Sequence, residues 1–395
     1  MPLGIYISVP FCRTKCSYCN FASDVFSRTV FERYVDRVCT DIGNVPQAAS
    51  EMGGQIERAV DSIYLGGGTP TVLEAGQLER IFRAVRSEFD VRPDAEVTVE
   101  CAPGTLSPAV VESLLRCGVN RVSLGVQSFV DPEAAAVGRL HTRAAVLEDI
   151  ARLRAAGIMN INIDLIAGLP HQTAESWEFS LAETIAAGAS HASVYMLEVD
   201  EDSRLGRELL AGGTRYHAHF VPDEQAVTDF YLEACNRLAS AGIVQYEISN
   251  FARQGFESRH NLKYWTRQPY FGFGVDAHSM LNSSTPDIDA VRFASPDSLE
   301  KYTAGAVLQR TSVSRHEAME ECFFLGLRLT RGIQLQELAS KFGEEAIQNA
   351  RASITELVEN GLMEQRGDRV CLTPRGRLLS NEVFERFILA GEIVR

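Results

Sequence analysis

The sequence predicts an α/β fold: an incomplete (β/α)6 TIM-like barrel followed by a helical, winged-helix-like C-terminal module. Three observations predict it. Short apolar runs alternate with amphipathic helical stretches over roughly the first 200 residues. The repeating units number six, not eight. The last 80 residues switch to helices with one short hairpin-like segment. Repeated βα units imply a parallel sheet with helices outside it.

Each element follows from local pattern. Candidate strands cover 5–9, 62–65, 96–100, 121–125, 160–166 and 192–196, all short, apolar and bounded by Gly, Pro or polar residues. Leu78, Ile81, Phe82, Val85 and Phe89 form one stripe of a helix between the second and third strands. Similar patterns cover about 28–42, 107–117, 143–156 and 173–187. In such architectures chemistry sits at the C-terminal ends of the strands. The segments after Val9, Leu65, Glu100, Gly125 and Ile166 therefore share one rim. The stretch 200–315 is less regular, with a helix near 223–241 and then Gly- and aromatic-rich sequence. Helices near 317–329, 333–342 and 345–360 precede strands at 363–365 and 369–372, and a final helix follows Pro374. The expected domains are 1–230 (barrel), 231–315 (extension and connecting segment) and 316–395 (C-terminal module).

Bulk properties narrow the function classes. The chain of 395 residues has a formal net charge of -14. That balance argues against general nucleic-acid binding, which needs a basic face. Residues 316–395 carry 10 Lys+Arg against 13 Asp+Glu, so the C-terminal module reads as structural or protein-docking rather than DNA-binding. No secretory signal pattern and no run of 18 apolar residues is present, which predicts a cytoplasmic protein without a transmembrane segment. Of 9 cysteines three cluster; Cys39, Cys101, Cys117, Cys235, Cys322 and Cys371 are scattered and read as core fillers.

Cys12, Cys16 and Cys19 have the spacing C-x3-C-x2-C in a loop after the first strand. Three thiolates so placed can ligate three irons of a cubane cluster, leaving the fourth iron open to a chelating ligand. A structural zinc site wants a fourth ligand that is not nearby. A thioredoxin-like Cys16/Cys19 pair leaves Cys12 unexplained.

The flanking residues carry a resemblance. The cysteine loop, Gly66-Gly67-Gly68-Thr69-Pro70 after the second strand, Glu100 ending the third and Gln127 after the fourth match the radical S-adenosylmethionine (SAM) superfamily in order. Within it, the chain resembles the anaerobic coproporphyrinogen-III oxidase family, which holds both oxygen-independent dehydrogenases and the heme chaperones called HemW. The resemblance implies a [4Fe-4S] cluster on Cys12, Cys16 and Cys19. It implies SAM contacts at Tyr6, Tyr18, Gly67, Gly68, Thr69, Glu100, Gln127, Arg139 and Asp164. It further implies one-electron cleavage of SAM to a 5′-deoxyadenosyl radical. On the residues themselves, the glycines let backbone approach a ligand and offer N–H groups. Asp164, amid apolar neighbours, needs a partner such as Arg139 or a ligand. Gln127, Arg139 and Asp164 are also open to a second ligand, because the dehydrogenases hold two SAM molecules.

Three features favour a heme chaperone over a coproporphyrinogen III dehydrogenase. Five residues precede Tyr6, where the dehydrogenases carry a longer extension. The dehydrogenases continue C-x3-C-x2-C-x-C, and here Phe21 takes the last place. His260-Asn261-Leu262-Lys263-Tyr264-Trp265 matches the H-N-x-x-Y-W pattern of the chaperone group. His260 is then a candidate axial heme ligand, with a hydrogen-bonded surface-loop histidine as its alternative. Gly272 and Gly274 suggest close backbone approach to the SAM adenine; His278 reads as a turn histidine. The 245–251 segment reads as a polar strand lining the ligand cavity. The implied partners are heme, recipient hemoproteins and a flavodoxin-like or other electron donor, with peripheral membrane contact left open.

Overall fold

Six βα units run in sequence order. β1 (Leu3–Val9), β2 (Ala59–Gly67), β3 (Asp90–Cys101), β4 (Arg121–Gln127), β5 (Asn160–Ala167) and β6 (His191–Met196) are parallel neighbours. The structure, a computed structural model, describes residues 1–305 and 308–388. Helices Phe31–Gly43, Ala75–Glu88, Pro108–Arg116, Arg143–Ala155 and Ala174–Ala186 return the chain between the strands. Their starts are set locally. Ser107 accepts from the Val110 N–H ahead of Pro108, and Thr173 and Ser176 form a reciprocal capping box.

The strands alternate strictly in character. Along β4, Arg121, Gly125 and Gln127 line the lumen, whereas Val122, Leu124 and Val126 join the apolar core under the helices. β5 repeats this with Asn162 and Asp164 inside and Ile161, Ile163 and Leu165 outside; β6 does so with Ser193 and Tyr195 against Ala192 and Val194. Successive side chains of a strand face opposite ways. Each outward Val, Ile or Leu contributes about 1.5–3 kcal/mol on burial. The outer face therefore holds the barrel together, and the inner face is left for polar groups.

The middle region is more regular than its sequence suggests. β7 (Val244–Gln245) and β8 (Asn250–Ala252) continue the sheet beyond β6. β9 (Tyr270–Gly274) pairs parallel with β1, and β10 (His278–Asn282), β11 (Ile288–Ala294) and β12 (Gln309–Ser314) follow antiparallel, giving a 12-stranded sheet. Strands of two to seven residues interrupted by glycine gave no clear period. Gly272 and Gly274 make the close backbone approach expected of them, to neighbouring strands. A Cβ on Gly272 would lie 2.2 Å from the His278 carbonyl oxygen, and one on Gly274, at φ +98°, would lie 2.3 Å from that of Ser8. His278 is exposed on the turn side of Asp276, at 3.7 Å.

The C-terminal module packs helices Arg315–Gly326, Leu335–Phe342 and Glu344–Glu359 on a small sheet of β13 (Ile333–Gln334), β14 (Met363–Arg366) and β15 (Arg369–Leu372). The expected last helix is two short ones, Pro374–Leu378 and Ser380–Glu385. The module has its own core, in which the Phe323 and Phe387 rings stack at 4.7 Å. Buried Arg267 ties it to the sheet through Asp289 of β11 and Glu321. No helix among the described residues is long and apolar enough to cross a membrane.

Candidate functional site

The loop after β1 turns back on itself, and its backbone explains how. The Cys12 N–H donates to the Asp24 carbonyl at 3.0 Å, the Ser17 N–H to Val137 at 3.1 Å and the Leu205 N–H to Ser17 at 2.8 Å. Lys15 Nζ donates to the Phe21 and Ser23 carbonyls at 2.6 and 2.7 Å. These bonds carry Cys12, Cys16 and Cys19 to the mouth of a cavity of about 510 Å³ inside the barrel. Among the described residues, no three His, Cys, Asp or Glu side chains converge on a single-ion site. The three thiols instead line one space, the arrangement that suits three separate irons of a cubane. Arg139 Nη1 stands 3.7 Å from Cys16 Sγ, and the Thr69 hydroxyl donates toward Cys12 Sγ at 3.9 Å. A guanidinium and a hydroxyl beside thiolates fit sulfur that carries negative charge. Burial pushes the Cys12 thiol up, opposed by hydroxyl bonds from Ser23 and Thr69.

The glycine segment works mainly through space. A Cβ on Gly66 would sit 2.8 Å from the Glu100 carboxyl carbon, and one on Gly68 would sit 2.8 Å from the carbonyl oxygens of both Val9 and Phe11. Gly67 holds φ +95°, which a side chain disfavours. The N–H groups, expected to be free, are engaged: Gly67 to Glu100 at 3.2 Å, Gly68 to Val9 and Thr69 to Phe11, both at 2.8 Å. An ammonium ligand needs acceptors, and the Glu100 carboxylate beside the segment offers one.

Glu100 accepts from the Tyr64 hydroxyl at 2.8 Å as well as from Gly67. Burial pushes its carboxyl up to about 7, with Asp164 adding to the effect and the two hydrogen bonds opposing it. Asp164 does not pair with Arg139. It accepts from Asn162 at 2.7 Å and Ser123 at 3.0 Å, and burial still raises its pKa. Arg139 donates to Cys16 and to the Gly125 carbonyl, and its Nε is buried without a partner. Gln127 sits at φ 68° with its Oε1 buried and unpartnered. A strained side chain with an unmet acceptor, facing a cavity beside an unmet Arg139 donor, fits a site shaped for a polar ligand.

Of the residues named from sequence, Cys12, Cys16, Cys19, Tyr18, Gly67, Gly68, Thr69, Glu100, Gln127, Arg139 and Asp164 line this cavity. Tyr6 lines an adjoining cleft of about 340 Å³ that shares Gly67. His260 lines neither and is 1% exposed. Its Nδ1 faces Ser62 Oγ at 3.0 Å and its Nε2 faces the Tyr264 hydroxyl at 2.9 Å. Burial pushes its pKa down to about 3. Both ring nitrogens are engaged beneath the barrel, so the placement expected of an axial ligand is not found. His260 belongs to helix Arg259–Trp265, which closes the lumen from below, and the backbone N–H groups of Arg259 and His260 donate to Glu96 of β3. The 245–251 segment also stands behind the lumen, where Asn250 accepts from Ser193 at 2.9 Å. Sequence reasoning missed Tyr64, Arg121, Asn162, Ser193, Tyr195 and Asn261 on the cavity wall. The period-2 alternation of polar and apolar residues in β2 and β4–β6 carried the signal for five of them.

Comparison with known proteins bears on this geometry. The description "Radical SAM superfamily" matches residues 6–182, and "HemN C-terminal domain" matches residues 313–379. A Bacillus subtilis (strain 168) protein named heme chaperone HemW is 35% identical, over 98% of this chain and 99% of its own. One of the same name from Lactococcus lactis is 32% identical, over 98% of both chains. The chain belongs to the HemW family of radical SAM proteins. The solved structure of coproporphyrinogen III oxidase (HemN) from Escherichia coli covers 98% of this chain and 90% of its own with a TM-score of 0.82; at 24% identity it shows the shared fold. Membership in the HemW family implies a [4Fe-4S] cluster and SAM, and the thiol loop and polar cavity fit both.

Proposed function

We propose that this chain is a heme chaperone: it holds a [4Fe-4S] cluster on Cys12, Cys16 and Cys19, binds SAM in the barrel cavity, and passes heme to recipient hemoproteins. The observation that carries the reading is a three-thiol loop at the mouth of a polar barrel cavity, in a chain that aligns end to end with proteins named heme chaperone HemW. The bound pair supplies one-electron reductive chemistry. The chain's own residues bind and orient. Gly66, Gly67 and Gly68 make room for the amino acid end of SAM. Glu100 accepts hydrogen bonds from its ribose or ammonium, and Gln127, Arg139 and Asp164 contact the remainder or a second ligand. Tyr6, Tyr18 and Thr69 flank the same ligand. Phe21, 65% exposed, and Leu140, 72% exposed, give the mouth an apolar lip suited to a porphyrin face. Axial ligation by His260 would require its ring to leave Ser62 and Tyr264, so this reading assigns His260 to the floor.

The reading divides the chain into 1–230, 231–315 and 316–395, and it implies a cytoplasmic protein supplied by a flavodoxin-like or other electron donor. Its test gives the anaerobically reconstituted chain coproporphyrinogen III with SAM and reductant, and heme separately. Stoichiometric heme uptake and transfer to an apo-hemoprotein, with no decarboxylation, is the expected result. Formation of protoporphyrinogen IX would replace the chaperone with the dehydrogenase.

A further inference from the structure

The floor of the lumen contains a cation with one buried donor that no protein group meets. Arg121 opens β4, is 1% exposed, and lines the main cavity. Its Nε is buried without a partner. Glu100 and Asp164 stand close enough to act on its charge, and the acidic groups of this part of the lumen take hydrogen bonds from other donors. Glu100 takes the Tyr64 hydroxyl and the Gly67 N–H. Asp164 takes Ser123 and Asn162. Glu96 takes the N–H groups of Arg259 and His260. A guanidinium carries five N–H donors and no acceptor, and a buried charged donor left unmet is costly.

Asn261 lines the same cavity. His260, its neighbour on the closing helix, turns away to Ser62 and Tyr264, whereas Asn261 lines the cavity. Among the described residues the Asn261 side chain makes no hydrogen bond; only its backbone N–H does, to Ser258. A guanidinium fork and a neutral amide at the closed end of a chamber match a planar two-oxygen anion.

We propose that the lumen floor is a carboxylate-binding subsite, with Arg121 as the charged donor and Asn261 as the neutral one. The proposal rests on the reading of the cavity as a ligand chamber and adds to it the group recognised at its closed end. The ligand with that chemistry is a heme propionate, since the aminoacyl end of SAM is placed at the glycine segment of the rim.

The test uses the full chain with its cluster reconstituted anaerobically, and compares the native protein with Arg121→Gln and Asn261→Ala. One arm titrates heme against heme dimethyl ester by absorbance. The other, a control, compares SAM with decarboxylated SAM by equilibrium dialysis, and neither variant is expected to change that ratio. In the heme arm the native chain is expected to bind the free acid about tenfold or more tighter than its uncharged analogue, the scale of a charged hydrogen bond. Arg121→Gln is expected to bring that ratio close to 1, and Asn261→Ala to lower it by about threefold, as a neutral hydrogen bond does. A ratio that falls in the SAM arm alone would overturn the assignment to heme. Should Arg121→Gln fail to fold, Asn261→Ala carries the same comparison with the charge kept. Native binding of heme with no preference for the free acid over the ester would overturn the subsite alone, as would a preference for it that both variants retain. Failure of the native chain to bind heme or SAM would overturn the functional reading and the subsite with it.

Discussion

The two ends of the barrel are both polar, yet they are built by different means. The rim is made of loops: three thiols, three glycines, and side chains such as Gln127 and Arg139 with unmet bonds. The floor is made of strand starts and one closing helix, and most of its groups are matched, with His260 bonded on both nitrogens and Glu96 capping a helix start. Unmet groups mark where ligands act, and matched groups mark where the fold is held. Loss at the rim is expected to remove cofactors and leave the fold; loss at the floor is expected to weaken the fold and leave the cluster.

Substitutions can break this contrast, and the largest effect is at the thiols. Cys12→Ala, Cys16→Ala or Cys19→Ala is expected to abolish cluster assembly, read as iron and sulfide content after anaerobic reconstitution, with an unchanged thermal transition of the apoprotein. Full iron content in all three would erase the distinction. At the floor, His260→Leu leaves the Ser62 and Tyr264 hydroxyls without their partner. It is expected to lower stability by about 2–3 kcal/mol, measured by denaturant unfolding, with normal iron content. This variant also has a pH signature. A histidine pKa lowered on folding to about 3 gives stability that is full above the unfolded value near 6.5 and is lost as pH falls below it. The native chain is thus expected to lose stability more steeply than His260→Leu between pH 6.5 and 5, by about 1.4 kcal/mol per unit at most.

A smaller effect lies at Glu100. Its carboxyl, raised to about 7, is protonated in acid and ionised in base. Ionisation strengthens its acceptor capacity. SAM affinity is therefore expected to rise about tenfold from pH 6 to 8 in the native chain, and to stay flat in Glu100→Gln, by equilibrium dialysis. The smallest effect is at Gln127. Replacing a strained φ of 68° by Gln127→Gly is expected to stabilise the apoprotein by about 0.5–1 kcal/mol in denaturant while weakening SAM binding. A destabilised apoprotein would show that Gln127 serves the fold.

The rim was largely legible because its residues are unusual where they stand: clustered cysteines, adjacent glycines, a carboxylate ending a strand. The barrel was legible from period and apolar runs. The floor was not, because Arg121, Asn162 and Ser193 each look ordinary until six strands are set side by side and their odd positions turn inward together. His260 drew attention as an imidazole among aromatics, and only its bonds to Ser62 and Tyr264 show that its nitrogens are taken. The added strands of 244–314 escaped notice because they are short and interrupted by glycine, and their pairing partners lie far off in sequence.

Helix Arg259–Trp265 has one more consequence. Lys263 near its end grips Asp61 at 2.7 Å and the Pro2 carbonyl at 2.8 Å, while Trp265 lies under the Arg328 guanidinium, 4.2 Å from its ring centre. Arg328 in turn reaches Glu247 at 3.3 Å. Seven residues thus rivet the first strand to the terminal module. The terminal module is therefore anchored to the closed end of the chamber, on the side away from the cysteine loop.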